Sequence, residues 1–344
     1  MTYPKTIDNE EMLDELLALP DQSLIDFMKR LDGDIAILGI GGKMGPTLGK
    51  LAVNAIKAAG VKKEVFGVSR FGNAEARQQL ENWGIKTISC DLMDRNAVAS
   101  LPDFKNIIYM AGRKFGTGGS EDLTWAMNVI VPAIVGERFK GSNITVFSTG
   151  CVYPLVNAGT CGCTEDTVLE PVGEYTQSCL GRERVFGHAS RTYGTKVLLF
   201  RLNYAIDMRY GVLHDIGTQV WNDQPVNNIV GHFNVIWQGD ANRIALLALE
   251  HATSPANPLN VTGPEMISVE YIAERFAKLM GKKVSYTGKS ADRCYLNNAS
   301  KAMRLFGYPR VSLETMIDWQ AAWLMKGGRS LGKPTHFEVN DGKF

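Results

Sequence analysis

The chain lacks any surplus of charge: 37 basic residues stand against 36 acidic ones. That balance argues against the electropositive footprint of a nucleic-acid binder and against a polybasic membrane patch. It also lacks an apolar run of membrane-spanning length, and its first residues, MTYPKTIDNEEML, are polar and acidic where an export signal would be basic and then apolar. The expectation is a cytoplasmic protein with neither nucleic acid nor membrane as a partner. Repeats and low-complexity tracts are missing too. Cysteine is sparse and scattered, at Cys90, Cys151, Cys161, Cys163, Cys179 and Cys294, which favours reduced thiols over a disulfide framework. Cys161 and Cys163 form CGC, but no histidine spacing accompanies them, so two ordinary loop thiols are favoured and no metal is expected.

What the chain does have is length and apolar content. Its 344 residues, 45% of them hydrophobic, suffice for one large α/β domain and a smaller lobe. The most informative stretch is DIAILGIGGKMGPTLGKL, from Asp34 to Leu51. Ile35 to Leu38 read as a buried parallel strand, and Gly39, Gly42 and Gly45 form GxxGxxG, with Gly41, Lys43 and Met44 inside the turn. The first glycine permits a tight exit from the strand, the middle pair lets backbone N–H groups approach a diphosphate, and the last allows close helix packing. Pro46 then suits the first turn of a helix whose unpaired N–H groups form an anion site. A glycine-rich turn without a ligand remains the alternative for this motif taken alone.

The rest of the chain gives that motif its context. Met12 to Leu31 carries two short helices divided by Pro20, with Leu24, Phe27, Met28 and Leu31 on one face, most simply read as core packing. Strands are expected at Glu64–Ser69, Thr87–Cys90, Asn106–Met110, Ile144–Phe147 and Lys196–Leu202. Helices are expected at Ala74–Trp83, Leu123–Phe139 and Tyr175–Ala189. This alternation predicts a parallel, doubly wound sheet, with ligands at the carboxyl ends of its strands. The loop AGRKFGTGG falls at such an end. Beyond Asn203 the pattern weakens, and a smaller lobe is expected to contain Leu259–Val261, a helix at Val269–Leu279 and Lys283–Tyr286. The boundaries drawn are a helical extension over 1–32, a nucleotide-binding domain over 33–203 with 232–252 returning to it, a substrate lobe over 204–231 and 253–326, and a surface tail over 327–344.

With these pieces in order the chain resembles the extended short-chain dehydrogenase/reductase family, the NAD-dependent epimerase/dehydratase group. The likeness runs from Gly33 to about Gly307 and rests on GIGGKMG, CDL at Cys90–Leu92, the AG of AGRK, Asn128, STGCVY at Ser148–Tyr153, and PVGEYTQS at Pro171–Ser178. It implies a Rossmann domain with a small substrate lobe, a homodimer, and oxidation, reduction or epimerisation of a sugar or sugar derivative. Carried over by position, Gly39, Gly42 and Gly45 resemble the diphosphate turn, and Asp91 with Leu92 the adenine contact. Ala111, Gly112 and Lys114 lie on the loop nearest the cofactor phosphates. Thr149 falls where the family has its catalytic serine or threonine, with Ser148 beside it, and Tyr175 falls on the catalytic tyrosine. A hydroxyl and a phenol near a nicotinamide suit proton transfer at one carbonyl or alcohol. The alternative for Thr149 is a strand-end hydroxyl bonding its own backbone, and for Tyr175 a core aromatic at a helix start; the ordered context favours the functional reading of both.

Two departures from the family pattern stand out. The family's YxxxK becomes Tyr175 followed by Cys179, which removes the lysine that holds the nicotinamide ribose and assists the tyrosine. Gly150 and Cys151 occupy the positions of an acidic pair found in the family's dehydratases, which disfavours dehydration; they and Asn203 are the substrate-contact candidates. At the end of the second strand stand Ser69 and Arg70 where NAD-binding sequences carry an acid, so NADP is mildly preferred over NAD. Arg70 stacked on adenine would reverse that preference. The expectation is an NAD(P)-dependent oxidoreductase or epimerase; the rival is a dinucleotide-binding protein without catalysis.

Overall fold

The computed structural model describes residues 3–114, 119–333 and 335–339, so Phe115 to Gly118 of the AGRKFGTGG loop and the last residues of the expected tail lie outside the described residues. Seven strands form one sheet: β1 (Ile35–Leu38), β2 (Val65–Ser69), β3 (Lys86–Ser89), β4 (Asn106–Tyr109), β5 (Asn143–Thr149), β6 (Lys196–Leu202) and β7 (Asn257–Val261). Their spatial order is β3-β2-β1-β4-β5-β6-β7, and every pairing is parallel. The order reverses between β1 and β4, which opens a crevice at the carboxyl ends of the strands.

The sheet is buried on both faces, as the period of two in β1 requires. Ile35 and Ile37 pack into a core with α2 (Gln22–Arg30), α3 (Gly45–Ala59), α4 (Ala74–Asn82), α10 (Gln238–Leu247) and α12 (Ser300–Phe306). Ala36 and Leu38 point the other way, toward α5 (Arg95–Ala99), α7 (Val131–Arg138) and α8 (Glu174–Tyr193). A separate core holds the smaller lobe together, where α9 (Val212–Trp221), α11 (Val269–Met280) and α13 (Leu313–Met325) enclose Trp237, Phe276, Trp319 and Trp323. The amino-terminal extension serves both cores. Leu24, Phe27 and Met28 of α2 cover α3, whereas Leu13 and Leu17 of α1 (Glu10–Leu17) enter the core of the lobe. Each helix is started by a side-chain cap, with Asn9 accepting from the Met12 N–H and Asp21 from the Leu24 N–H.

Three segments differ from the sequence expectation. Leu259–Val261, assigned to the smaller lobe, belongs to β7 and pairs with β6 at the edge of the main sheet. Pro258 obscures the strand in the sequence, yet an edge strand tolerates a residue without an N–H. The helix expected over Leu123–Phe139 is divided into α6 (Glu121–Trp125), a π-helical turn (Ala126–Ile130) and α7. The tail does more than wrap the surface: Thr335 and Phe337 are buried, and the Phe337 ring packs edge-on against Phe233 at 6.1 Å.

Candidate functional site

The glycine turn leaves β1 and enters α3, and its glycines have different physical causes. Gly39 adopts a positive φ of 90°, and a Cβ there would lie 2.6 Å from the Ala111 nitrogen at the end of β4. A Cβ on Gly45 would lie 2.2 Å from the Ile40 carbonyl oxygen, so that glycine closes the turn itself; close packing of α3 on the sheet is the work of Gly49, whose Cβ would meet Ile85 at 2.7 Å. Gly42 is different. A Cβ there would meet only the Gly39 oxygen at an ordinary 3.5 Å, so the protein itself does not demand glycine at this position. The N-cap residue of α3, Met44, gives no side-chain hydrogen bond to the first turn. An open Gly42 beside uncapped N–H donors fits a diphosphate.

Ser69 ends β2 beside this turn, its Oγ 2.8 Å from where a Gly41 Cβ would stand. Arg70 is largely exposed and faces Asp91 across 3.9 Å, while Leu92 is buried below them. Ala111 and Gly112 continue the same edge from β4. Gly112 is required by its neighbours, since a Cβ would fall 2.2 Å from Arg182 Nη2.

Farther along the crevice is a cavity of about 450 Å³ that brings together Lys43, Met44, Gly112, Lys114, Ser148, Thr149, Cys151, Tyr175 and Asn203. Sequence reading had named all of these. Gly42, Leu202, Ala205, Gly211 and Val212 also line the wall, as do Tyr204, Tyr210, Lys333 and Thr335, and none of these last four stands in a motif of the sequence. Thr149 ends β5, and its Oγ1 accepts a hydrogen bond from the Cys151 N–H at 3.2 Å, the strand-end role weighed above, while it also lines the cavity. Ser148 donates to Glu183 Oε1 at 2.6 Å. Glu183 in turn pairs with Arg201, and Arg201 donates to the Tyr153 hydroxyl at 2.6 Å. Gly150 is hemmed in by Asn297, whose Oδ1 would lie 2.3 Å from a Cβ.

Tyr175 stands at the start of α8 and is hydrogen-bonded to Cys179, one turn on. Arg182, a further turn along the same stripe, is buried and donates to the Phe147 carbonyl at 2.7 Å and to Asn128 Oδ1 at 2.6 Å. The π-helical turn carries Asn128 inward, where it also accepts from the Arg113 N–H and donates to the Ser178 hydroxyl at 2.8 Å. Burial pushes the Tyr175 phenol well above its usual value, with Cys179 and Cys151 adding to the effect and Arg182 opposing it. Cys179 is likewise raised, chiefly by burial, so both groups keep their protons at neutral pH. Lys43 lies 3.7 Å over the Tyr210 ring, and burial lowers its pKa to about 7, with Lys114 and Arg209 lowering it further and Asp207 opposing. Lys114 donates to the Thr335 carbonyl at 3.2 Å and is also lowered by burial.

No protein-family model matches the chain, and no curated protein matches its sequence. Solved structures do match its fold. A UDP-glucose 4-epimerase from Thermotoga maritima, solved with UDP-glucose, superposes with a TM-score of 0.70 at 18% identity, covering 85% of this chain and 99% of its own. A UDP-glucuronic acid 4-epimerase from Bacillus cereus, in complex with NAD, gives a TM-score of 0.70, 18% identity, and the same 85% and 99% coverage. A dTDP-glucose 4,6-dehydratase from Bacillus anthracis, also in complex with NAD, gives 0.72 at 16% identity over 86% of this chain and 97% of that one. The seven-stranded sheet, its crevice and the lobe beside it are thus the fold of nucleotide-sugar epimerases and dehydratases.

Proposed function

We propose that the protein is a nicotinamide-dinucleotide-dependent oxidoreductase or epimerase acting on a sugar or sugar derivative. The observation that carries this reading is the meeting, along one crevice, of an open glycine turn with a cavity that contains Thr149 and Tyr175. Gly39 to Gly45 and the first turn of α3 hold the diphosphate; Ala111, Gly112, Asp91 and Leu92 flank the adenosine; the nicotinamide ribose passes Tyr175, and Cys179, expected to meet it, is fully buried and outside the cavity wall. The bound dinucleotide supplies a hydride acceptor or donor. Thr149 orients the substrate oxygen, and Tyr175 moves its proton. Because the phenol is held neutral, Tyr175 works more readily as an acid toward a carbonyl than as a base toward an alcohol. Ser148, committed to Glu183, supports the end of β5.

The finer expectations belong to the same reading. Ser69 and the exposed Arg70 accommodate a ribose 2′-phosphate, which favours NADP(H), and the loose Arg70–Asp91 pair limits that preference. Leu123, Trp125 and Ile130 are exposed along α6 and the π-helical turn and offer the apolar surface of a homodimer.

The test is titration of NADH and NADPH, followed by fluorescence, into the parent, Gly42→Val and Arg70→Ala. Gly42→Val is expected to fold and to lose dinucleotide binding; full affinity in that folded variant would refute the cofactor assignment. Tighter NADH than NADPH binding, unmoved by Arg70→Ala, would remove the 2′-phosphate preference alone.

A further inference from the structure

The cavity around Tyr175 is charged in one sense only. Lys43, Lys114 and Lys333 line it, and among the described residues no carboxylate does. The three lysines come from unrelated stretches: the glycine turn, the loop after β4, and the carboxyl-terminal segment. Of the acids near Lys43 and Lys114, which are Asp207, Asp215 and Glu338, none lines the cavity, and Glu338 faces His336 at 3.8 Å. Asp215 Oδ2 accepts from the Thr335 N–H at 2.8 Å and from its hydroxyl at 2.6 Å, and Asp207 pairs with Arg209 at 3.1 Å. Thr335 is therefore pinned between Asp215 and Lys114, and the pinning keeps Lys333, two residues earlier, at the cavity wall.

Gathering cations in a partly enclosed space costs desolvation and mutual repulsion, and Lys43 shows both, lowered by burial and by Lys114. An anion in the cavity would offset both costs. The diphosphate of a dinucleotide belongs at the glycine turn and so engages Lys43 first. Lys114 and Lys333 stand with Tyr175 and Thr149 at the reacting end. At about 450 Å³ the cavity lies in the lower half of the range of roughly 300–1,000 Å³ usual for small-molecule sites, and it must also admit the nicotinamide end of the cofactor. A second cavity of about 910 Å³ shares Gly42, Lys43 and Lys333 with it on the side of the glycine turn, so it is the reacting end itself that has room for little beyond a sugar-sized group.

Resting on the oxidoreductase reading above, we infer that the substrate is a small molecule that itself carries a carboxylate or phosphate, held by Lys114 and Lys333 while Thr149 and Tyr175 face its reacting carbon. The acid group, and not a nucleotide handle, anchors the substrate.

Calorimetry on the full chain, with and without saturating NADH, tests this with D-glucuronate and D-glucose 6-phosphate as acidic probes and D-glucose and UDP-glucose as comparators at fixed ionic strength. At least one acidic probe is expected to bind about tenfold or more tightly than glucose, as charge-assisted hydrogen bonds require. Which of the two binds separates a carboxylate from a phosphate. Lys333→Met and Lys114→Met should each remove most of that advantage, read at saturating NADH. The inference is overturned if neither acid exceeds glucose, if both lysine variants bind the acids as the parent does, or if UDP-glucose binds more tightly than either. Failure of NADH to bind the parent would instead refute the oxidoreductase reading, with the acid-over-neutral comparison still read from the cofactor-free arm.

Discussion

Two polar assemblies sit within one turn of each other on α8, and they are built to opposite rules. Around Glu183 every strong group is matched: Ser148 and Arg201 donate to its carboxylate, and Arg201 also reaches Tyr153, whose hydroxyl donates to Asn260 at 2.8 Å. Glu183 and Arg201 are 3% and 5% exposed, so this is an ion pair removed from water. The stripe of Tyr175, Cys179 and Arg182 has its guanidinium bound to Asn128 and the Phe147 carbonyl, but its outer end is a phenol that faces the cavity, bonded to the fully buried Cys179 thiol. The first assembly fixes where β5 and β6 lie; the second presents a proton. A buried charge must be paired to be tolerated, whereas a group that is to exchange a proton with a ligand must keep a side open.

The comparison is broken most directly at Tyr175. Tyr175→Phe is expected to lower kcat/KM by about 10²- to 10⁴-fold while the melting temperature stays close to that of the parent. In the parent at saturating dinucleotide, the rate of carbonyl reduction should not be limited by loss of the Tyr175 proton from about pH 6 to pH 9, because a phenol raised above its usual pKa of ~10 stays protonated throughout that range. Parental turnover in the phenylalanine variant would remove Tyr175 from the chemistry.

The matched assembly should fail in the other way. Glu183→Ala leaves the Arg201 guanidinium buried without its carboxylate and is expected to cost about 3–5 kcal/mol of stability, measured by denaturant unfolding. Cys179→Ala, one turn away, should cost only about 1 kcal/mol. Equal losses in the two variants would show that the stripe facing the cavity is as structural as its neighbour.

The smallest effect concerns Lys43. With a pKa of about 7 in the unliganded protein, its protonated fraction falls about tenfold between pH 6 and pH 8, and dinucleotide affinity should fall by a similar factor over that interval. Lys43→Met should flatten the profile, as read by NADH fluorescence. The sign for stability is the reverse. The unfolded chain keeps this proton up to the usual 10.5 while the folded chain releases it near 7, so the unliganded protein gains stability as pH rises between those values.

The sheet, the glycine turn and the placement of Thr149 and Tyr175 at one crevice were legible in the sequence because each rests on short-range regularity. Apolar runs of strand length alternate with helices, the glycines are spaced three apart, and STGCVY and EYTQSC keep their residues in local order. Leu24, Phe27 and Met28 were legible for the same reason, as one face of a helix. Other features had no local signal. The π-helical turn brings Asn128 to Ser178 and Arg182, which lie fifty and more residues away on α8, and β7 is a strand only because β6 offers it an edge. Lys333 reaches the cavity only because Asp215 and Lys114 hold Thr335 beside it, across more than a hundred residues of chain. Sequence thus determined where the sheet, the glycine turn and the helix after it form, since steric freedom and periodicity act between neighbours along the chain. The charge and size of the space beside Tyr175 were decided by tertiary structure alone, since electrostatics and volume act between whatever the fold brings together.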